Sequence, residues 1–235
     1  MNTFSRPALA VTLAGALTAG LFGCSREPRK PSQEAPAEAP NPLFFPKRWN
    51  RTAPAVYRAH FETSKGDFVI EVHRKWAPIG ADRFYNLVTA GYYDDTRIYR
   101  VVPGFMVQFG VNGDPRVNGA WYQKYLPDDP VTESNSRGRV AFAHGGPNSR
   151  TTEIFISYKN NAKLDRKGFA PFGEVVEGMD VVDSFYGGYG DGPPRGEGPY
   201  GRRALALGNA YFDENFPKLD RITRAWIEGS DSASH

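Results

Sequence analysis

From Tyr57 onward the chain alternates. Tyr57, Ala59 and Phe61 are apolar between the polar Arg58, His60 and Glu62, and the alternation resumes at Phe68, Ile70 and Val72 after Ser64-Lys65-Gly66-Asp67. A period of two puts the apolar residues on one face of a pleated strand, so this segment predicts a β-hairpin with one buried face. At Pro78 the period lengthens. Ile79, Phe84, Leu87 and Val88 recur at helical spacing, Pro78 suits a first turn and Gly91 a stop, so residues 78–90 predict a helix packed on the hairpin. Short apolar runs at 98–102, 105–109, 140–143, 154–157 and 172–176, separated by Gly, Pro, Asn and Asp, predict further strands. A second helix is expected from near Met179 to before Gly187-Gly188, and a last strand at 221–227. Residues 187–201 are dense in Gly and Pro and predict a surface loop, an elaboration to which the sequence assigns no chemistry. Many short strands with two helices predict a mainly β fold, a closed barrel with helical caps.

The chain has 235 residues, 40% of them hydrophobic and 14% aromatic, which is enough for one sizeable domain with a real core. The formal charge of +3 is small and evenly spread, so nothing argues for nucleic acid. One Cys allows no internal disulfide, and His60, His73, His144 and His235 are scattered, so no metal and no cofactor are expected.

The N-terminus reads as an address. Residues 1–23 place Arg6 ahead of an apolar stretch from Ala8 to Phe22 that is too short to span a bilayer comfortably, the pattern of a signal peptide. The only Cys, Cys24, follows Leu21-Phe22-Gly23, which resembles the lipobox of bacterial lipoproteins; the resemblance implies a lipidated Cys24, and Ser25 after it implies the periplasmic face of the outer membrane in a bacterial envelope. Residues 24–52, with Pro28, Pro31, Pro36, Pro40, Pro42 and Pro46, read as an extended spacer. Its apolar residues Leu43, Phe44, Phe45 and Trp49 are expected to dock back onto the domain, which is assigned to 53–229 with a C-terminal tail at 230–235.

Three segments carry the chemistry. The first is Ile98-Tyr99-Arg100-Val101-Val102-Pro103-Gly104-Phe105-Met106-Val107-Gln108-Phe109-Gly110. The second is Phe142-Ala143-His144-Gly145-Gly146-Pro147-Asn148-Ser149 leading into Glu153-Ile154-Phe155-Ile156. The third is Leu164-Asp165 followed by Phe169-Ala170-Pro171-Phe172-Gly173. Together, across residues 55–186, they resemble the cyclophilin family of peptidyl-prolyl cis/trans isomerases. The resemblance implies a closed eight-stranded antiparallel β-barrel capped by two α-helices, an activity on X–Pro bonds without cofactor or metal, proline-containing polypeptides as partners, and a monomer.

By the same resemblance Arg100 is the catalytic donor, and Gln108 fixes the substrate carbonyl and supports Arg100. Phe105, Met106, Phe155 and Leu164 wall the proline pocket. The backbone of His144 pairs with the extended substrate, Ala143 lines the adjoining groove, and Glu153 and Phe169 take two further binding positions. Three positions depart from the best-known members: Glu153 replaces Gln, Lys163 replaces Trp and Phe169 replaces His. A carboxylate at Glu153 is expected to pair with Arg100 or Arg150, either orienting the guanidinium or drawing it from the substrate. Loss of the Trp implies weaker cyclosporin binding.

Two other functions compete. A catalytically weak proline-peptide binding module or chaperone would use the same groove, and a hydrolase would need Ser149, His144 and an Asp such as Asp165 as a triad. Ser149 lacks the strand-to-helix elbow that such a nucleophile needs. Gly145-Gly146 lacks the Lys of a phosphate loop.

Overall fold

In the computed structural model, which describes residues 40–229, the alternating hairpin forms β1 (Val56–Thr63) and β2 (Gly66–His73). Their register pairs Tyr57 with Val72, Ala59 with Ile70 and Phe61 with Phe68, so the apolar residues share one face. On that face lies α1 (Pro78–Thr89), which buries Phe84, Leu87 and Val88. Phe61 stacks on Phe68 at 4.9 Å between ring centroids and on Phe84 at 6.1 Å. Truncating a ring so enclosed costs about 3–5 kcal/mol, so this aromatic cluster is a principal source of stability.

The start of α1 is capped from afar. Ala77 offers no side-chain acceptor, and the Asp129 carboxylate instead accepts from Ile79 N at 2.9 Å and Gly80 N at 2.8 Å. Arg150 Nη1 donates to the same carboxylate at 2.9 Å, and both side chains are almost wholly buried. A helix N-terminus, a carboxylate and a guanidinium thus satisfy one another inside the fold.

The remaining elements are β3 (Thr96–Arg97), β4 (Arg100–Val102), β5 (Met106–Phe109), α2 (Pro115–Trp121), β6 (Arg139–Phe142), β7 (Ile154–Ser157), β8 (Pro171–Glu177), α3 (Met179–Asp183), α4 (Gly201–Leu207), α5 (Asn209–Asn215) and β9 (Arg221–Ile227). All strands belong to one antiparallel sheet in the order β3-β9-β1-β2-β8-β6-β7-β5-β4. The expected closed, eight-stranded barrel is therefore corrected to a curled, open sheet of nine strands, with β3 and β4 as its two ends among the described residues. The two expected helices become five among the described residues. α2, α4 and α5 have seven residues each, too short for a helical period to rise above background, and β3 has two.

The end of the proline-rich segment belongs to the packed domain. Two single 3₁₀ turns, Pro42–Phe44 and Pro46–Arg48, lay Leu43 into the core, and Trp121 Nε1 donates to the Leu43 carbonyl at 3.0 Å. The packed chain thus includes residues ahead of position 53. The expected signal peptide, Cys24, the spacer as far as residue 39 and the tail at 230–235 lie outside the described residues.

Candidate active site

Register alone assembles the centre of the site. Arg100 pairs with Gln108 across β4 and β5, Gln108 with Phe155 across β5 and β7, and Phe155 with Ala141 across β7 and β6. These four residues form one row across four strands. Two residues along, Val102, Met106 and Ser157 form the next row on the same face. The residues between them, Val101, Val107, Ile156 and Val140, point the other way into the main core. Alternation therefore divides this half of the sheet into a core face and a site face.

The turn from β4 to β5 is short because Pro103 and Gly104 suit it. Phe105 N donates to the Val102 carbonyl at 2.9 Å, and Gly104 has φ +67°, the left-handed value that a type II turn demands at its third position. The Phe105 carbonyl accepts from Tyr158 N at 3.0 Å and from Asn161 Nδ2 at 2.8 Å, which fixes the turn beside the 3₁₀ segment Ala162–Lys167. That segment carries Leu164. Met106, Ala141, Phe155 and Leu164 form an apolar cluster separate from the main core, edged by Phe105, Ala143 and Phe169. Phe169 meets Phe155 edge-on at 5.6 Å and stacks on His144 at 4.0 Å. The cluster forms one wall of an open groove of about 500 Å³, and Arg100, Gln108 and Glu153 supply the polar side.

Hydrogen bonds fix the polar side. Arg100 Nη1 donates to Gln108 Oε1 at 2.7 Å, and Gln108 Nε2 donates to Tyr99 Oη at 2.6 Å and to Glu153 Oε2 at 2.7 Å. Tyr99 Oη donates in turn to Glu153. Burial, reinforced by the Glu153 charge, pushes the Tyr99 phenol well above its ordinary range, so it remains a donor. Both amide protons of Gln108 are thereby engaged within the protein, and its oxygen is turned to Arg100. The expected pairing of Glu153 with Arg100 or Arg150 is corrected: its carboxylate holds Tyr99 and Gln108. The acid that meets Arg100 is Asp191, which accepts from Nε at 2.8 Å and from Nη2 at 3.2 Å.

The sequence pattern described as "Cyclophilin type peptidyl-prolyl cis-trans isomerase/CLD" matches residues 58–197, more than half of the chain. The chain belongs to the cyclophilin family. A peptidyl-prolyl cis-trans isomerase-like 3 of Rhizopus delemar is 37% identical over 127 residues, covering 50% of this chain and 74% of that protein. A peptidyl-prolyl cis-trans isomerase-like 2 of Gibberella zeae is 35% identical over 147 residues, 60% of this chain but 24% of the relative, so this chain spans about a quarter of that protein's length. In fold it is similar to a cyclophilin type peptidyl-prolyl cis-trans isomerase of Cryptosporidium parvum, with a TM-score of 0.54 at 21% identity over 73% of this chain and 97% of that one. The reaction class of this cyclophilin is that of its family, cis/trans isomerisation of peptidyl-prolyl bonds.

This cyclophilin brings Arg100, Gln108, Phe105, Met106, Ala143, His144, Glu153, Phe155, Leu164 and Phe169 to one groove. Lys163 sits over the Phe105 ring, its Nζ 5.5 Å from the centroid. The hydrolase reading fails on geometry. Ser149 Oγ donates to the Gly146 carbonyl at 2.6 Å, and Asp165 holds Ser134 and Asn135. Asp191, Tyr99, Thr151, Lys167 and Arg195 are among the site residues that pattern reading missed. For Asp191 and Arg195 the available signal was the long stretch 187–200 without secondary structure, since such loops are commonly functional; Tyr99 and Lys167 carried no such signal.

Proposed function

We propose that this cyclophilin speeds rotation about X–Pro bonds in exported polypeptides, with Arg100 as the donor and a lipid anchor at Cys24 holding it to a bacterial envelope. Resonance in the amide sets a barrier of about 18–20 kcal/mol. As the bond twists, the prolyl nitrogen becomes pyramidal and gains a lone pair, and a hydrogen bond to it exists only at that point. Arg100 suits this role because its guanidinium stays charged and its donors are fixed in a plane. Three of its five N–H groups go to Asp191 and Gln108 among the described residues, which leaves two for substrate.

That geometry beside an apolar wall carries the reading. A charge-assisted hydrogen bond contributes about 1.5–3 kcal/mol. At about 1.4 kcal/mol per tenfold this supplies about one to two decades of rate. The rest comes from Phe105, Met106, Phe155 and Leu164 gripping the proline ring while the groove leaves the following residue free to turn. Gln108 acts through Arg100, its amide protons being engaged elsewhere. A related fold has been determined in the presence of the dipeptide Ala-Pro, which supports a proline-containing ligand here.

A protease-coupled proline-peptide assay comparing wild type with Arg100→Ala tests the donor. A loss of at least tenfold is expected; equal rates would leave proline-peptide binding as the function. The anchor rests on the chain's own N-terminus, the apolar stretch ending at Phe22 and the only Cys at position 24. Labelling with a radioactive fatty acid in a bacterial host, with Cys24→Ala as control, tests it: an unlabelled wild-type chain ends that part of the proposal.

A further inference from the structure

The loop at 187–201, to which the sequence assigned no chemistry, is folded around one carboxylate. Gly192 N donates to Asp191 Oδ1 at 2.8 Å, and Gly198 N donates to the Asp191 carbonyl at 2.9 Å. A Cβ at Gly196 would fall 2.3 Å from that carbonyl oxygen and one at Gly198 2.9 Å, so the chain closes on Asp191 only because these two positions are glycine. The loop leads into α4 and α5. Tyr211 and Phe212 of α5 pack with Ala204 and with Tyr99, the residue before Arg100; the Tyr99 and Phe212 rings stack at 5.9 Å. The C-terminal end of the loop is therefore tied to the residue that precedes Arg100.

From this juxtaposition we propose that Asp191 is a positioning residue for isomerisation, holding the Arg100 guanidinium in the plane from which it meets the substrate. The inference rests on the isomerase reading above. Asp191 binds the Nε and Nη2 edge, whereas Gln108 takes Nη1. The two anchors together fix both the tilt and the rotation of the planar group, which one alone does not. Asp191 also lies behind Arg100. It lines an adjoining hollow of about 200 Å³ with Tyr99, Pro199 and Tyr200, which meets the groove at Arg100, Gln108 and Arg195, and Asp191 is not among the residues that line the groove. A carboxylate placed there leaves the substrate's path open. Arg195 Nε donates to Asp191 Oδ2 at 2.8 Å and so steadies the acid from the groove side. Burial would raise the Asp191 carboxyl, but the hydrogen bond and charge of Arg100, helped by Gly192 N and Arg195, hold it below its ordinary 3.8. It is ionised wherever the enzyme is folded at neutral pH.

The test is Asp191→Asn in the full chain, followed by exchange spectroscopy on a proline peptide at limiting and saturating concentrations. Misplacement of a catalytic group with the pocket intact is expected to lower kcat by about tenfold or more while KM stays within about twofold. The Arg100 Nε–H resonance is expected to lie further upfield and to exchange faster in Asp191→Asn than in the wild type, because its bond to the carboxylate is weakened. Asp191→Glu should recover part of kcat, and Glu197→Gln, an exposed acid of the same loop, should leave it unchanged. An unchanged or increased kcat in Asp191→Asn overturns the proposal, an increase meaning that the acid restrains Arg100. A change confined to KM overturns it too, because Asp191 would then be contacting substrate. An inactive wild type strikes the isomerase reading and this inference together, whereas an active wild type with an indifferent Asp191→Asn strikes this inference alone.

Discussion

Gln108 Nε2 donates to Glu153 Oε2 at 2.7 Å, and that bond, with the one to Tyr99 Oη at 2.6 Å, sets which end of the Gln108 amide faces Arg100. Were the amide to flip, its NH₂ group would confront the guanidinium. The expected outcome for Glu153→Gln, which keeps an acceptor in place, is a rate close to wild type. Glu153→Leu removes an acceptor from both Gln108 and Tyr99, leaves the Tyr99 hydroxyl undirected and the amide held by one bond in place of two, and should lower kcat/KM by about tenfold, roughly the worth of one hydrogen bond to a charged group. The protease-coupled assay on both variants checks this.

The buried pair Asp129–Arg150 predicts a stability effect without a rate effect. Asp129→Ala strips the cap from α1 and leaves the Arg150 charge without its buried partner. A loss of about 3–5 kcal/mol is expected, measured by urea unfolding. The activity of the fraction that stays folded should be near wild type, because neither residue lines the groove.

His144 gives a pH prediction. Burial, with the Arg150 cation adding to it, holds its imidazole below the ordinary 6.5 in spite of Asp128. Below pH 6.5 the unfolded chain takes up the proton first, so the ring lowers stability progressively as pH falls from 6.5 to its depressed folded value, and has no effect above 6.5. His144→Phe, which keeps the stack on Phe169, should flatten this acid limb. Thermal midpoints of both proteins across the acid range test it; parallel curves would refute the assignment.

Much of the site could be read in advance because the residues that carry the family resemblance are local. Arg100, Phe105, Met106 and Gln108 fall within nine residues, and alternation alone put Met106 and Gln108 on one face. The β1–β2 hairpin, α1 and β9 emerged for the same reason, since their apolar spacing lasts long enough to show a period. Glu153 was visible as a departure, yet its partner was not, because the choice among Arg100, Arg150 and Tyr99 depends on which strand lies beside which. The closed barrel was an inference from strand number, and strand number says nothing about whether the two end strands meet.

What the sequence determined by itself is that Met106 and Gln108 share one face of their strand while Val107 and Phe109 take the other. That follows from the fixed two-residue repeat of an extended chain, a property each strand carries alone. Only the tertiary structure decided which acid meets Arg100. Asp191 is ninety-one residues away in a segment with no period, and a charge pair across such a distance depends on where the α4–α5 excursion anchors its loop. Electrostatic partners are selected by closeness in space, and no local pattern encodes that.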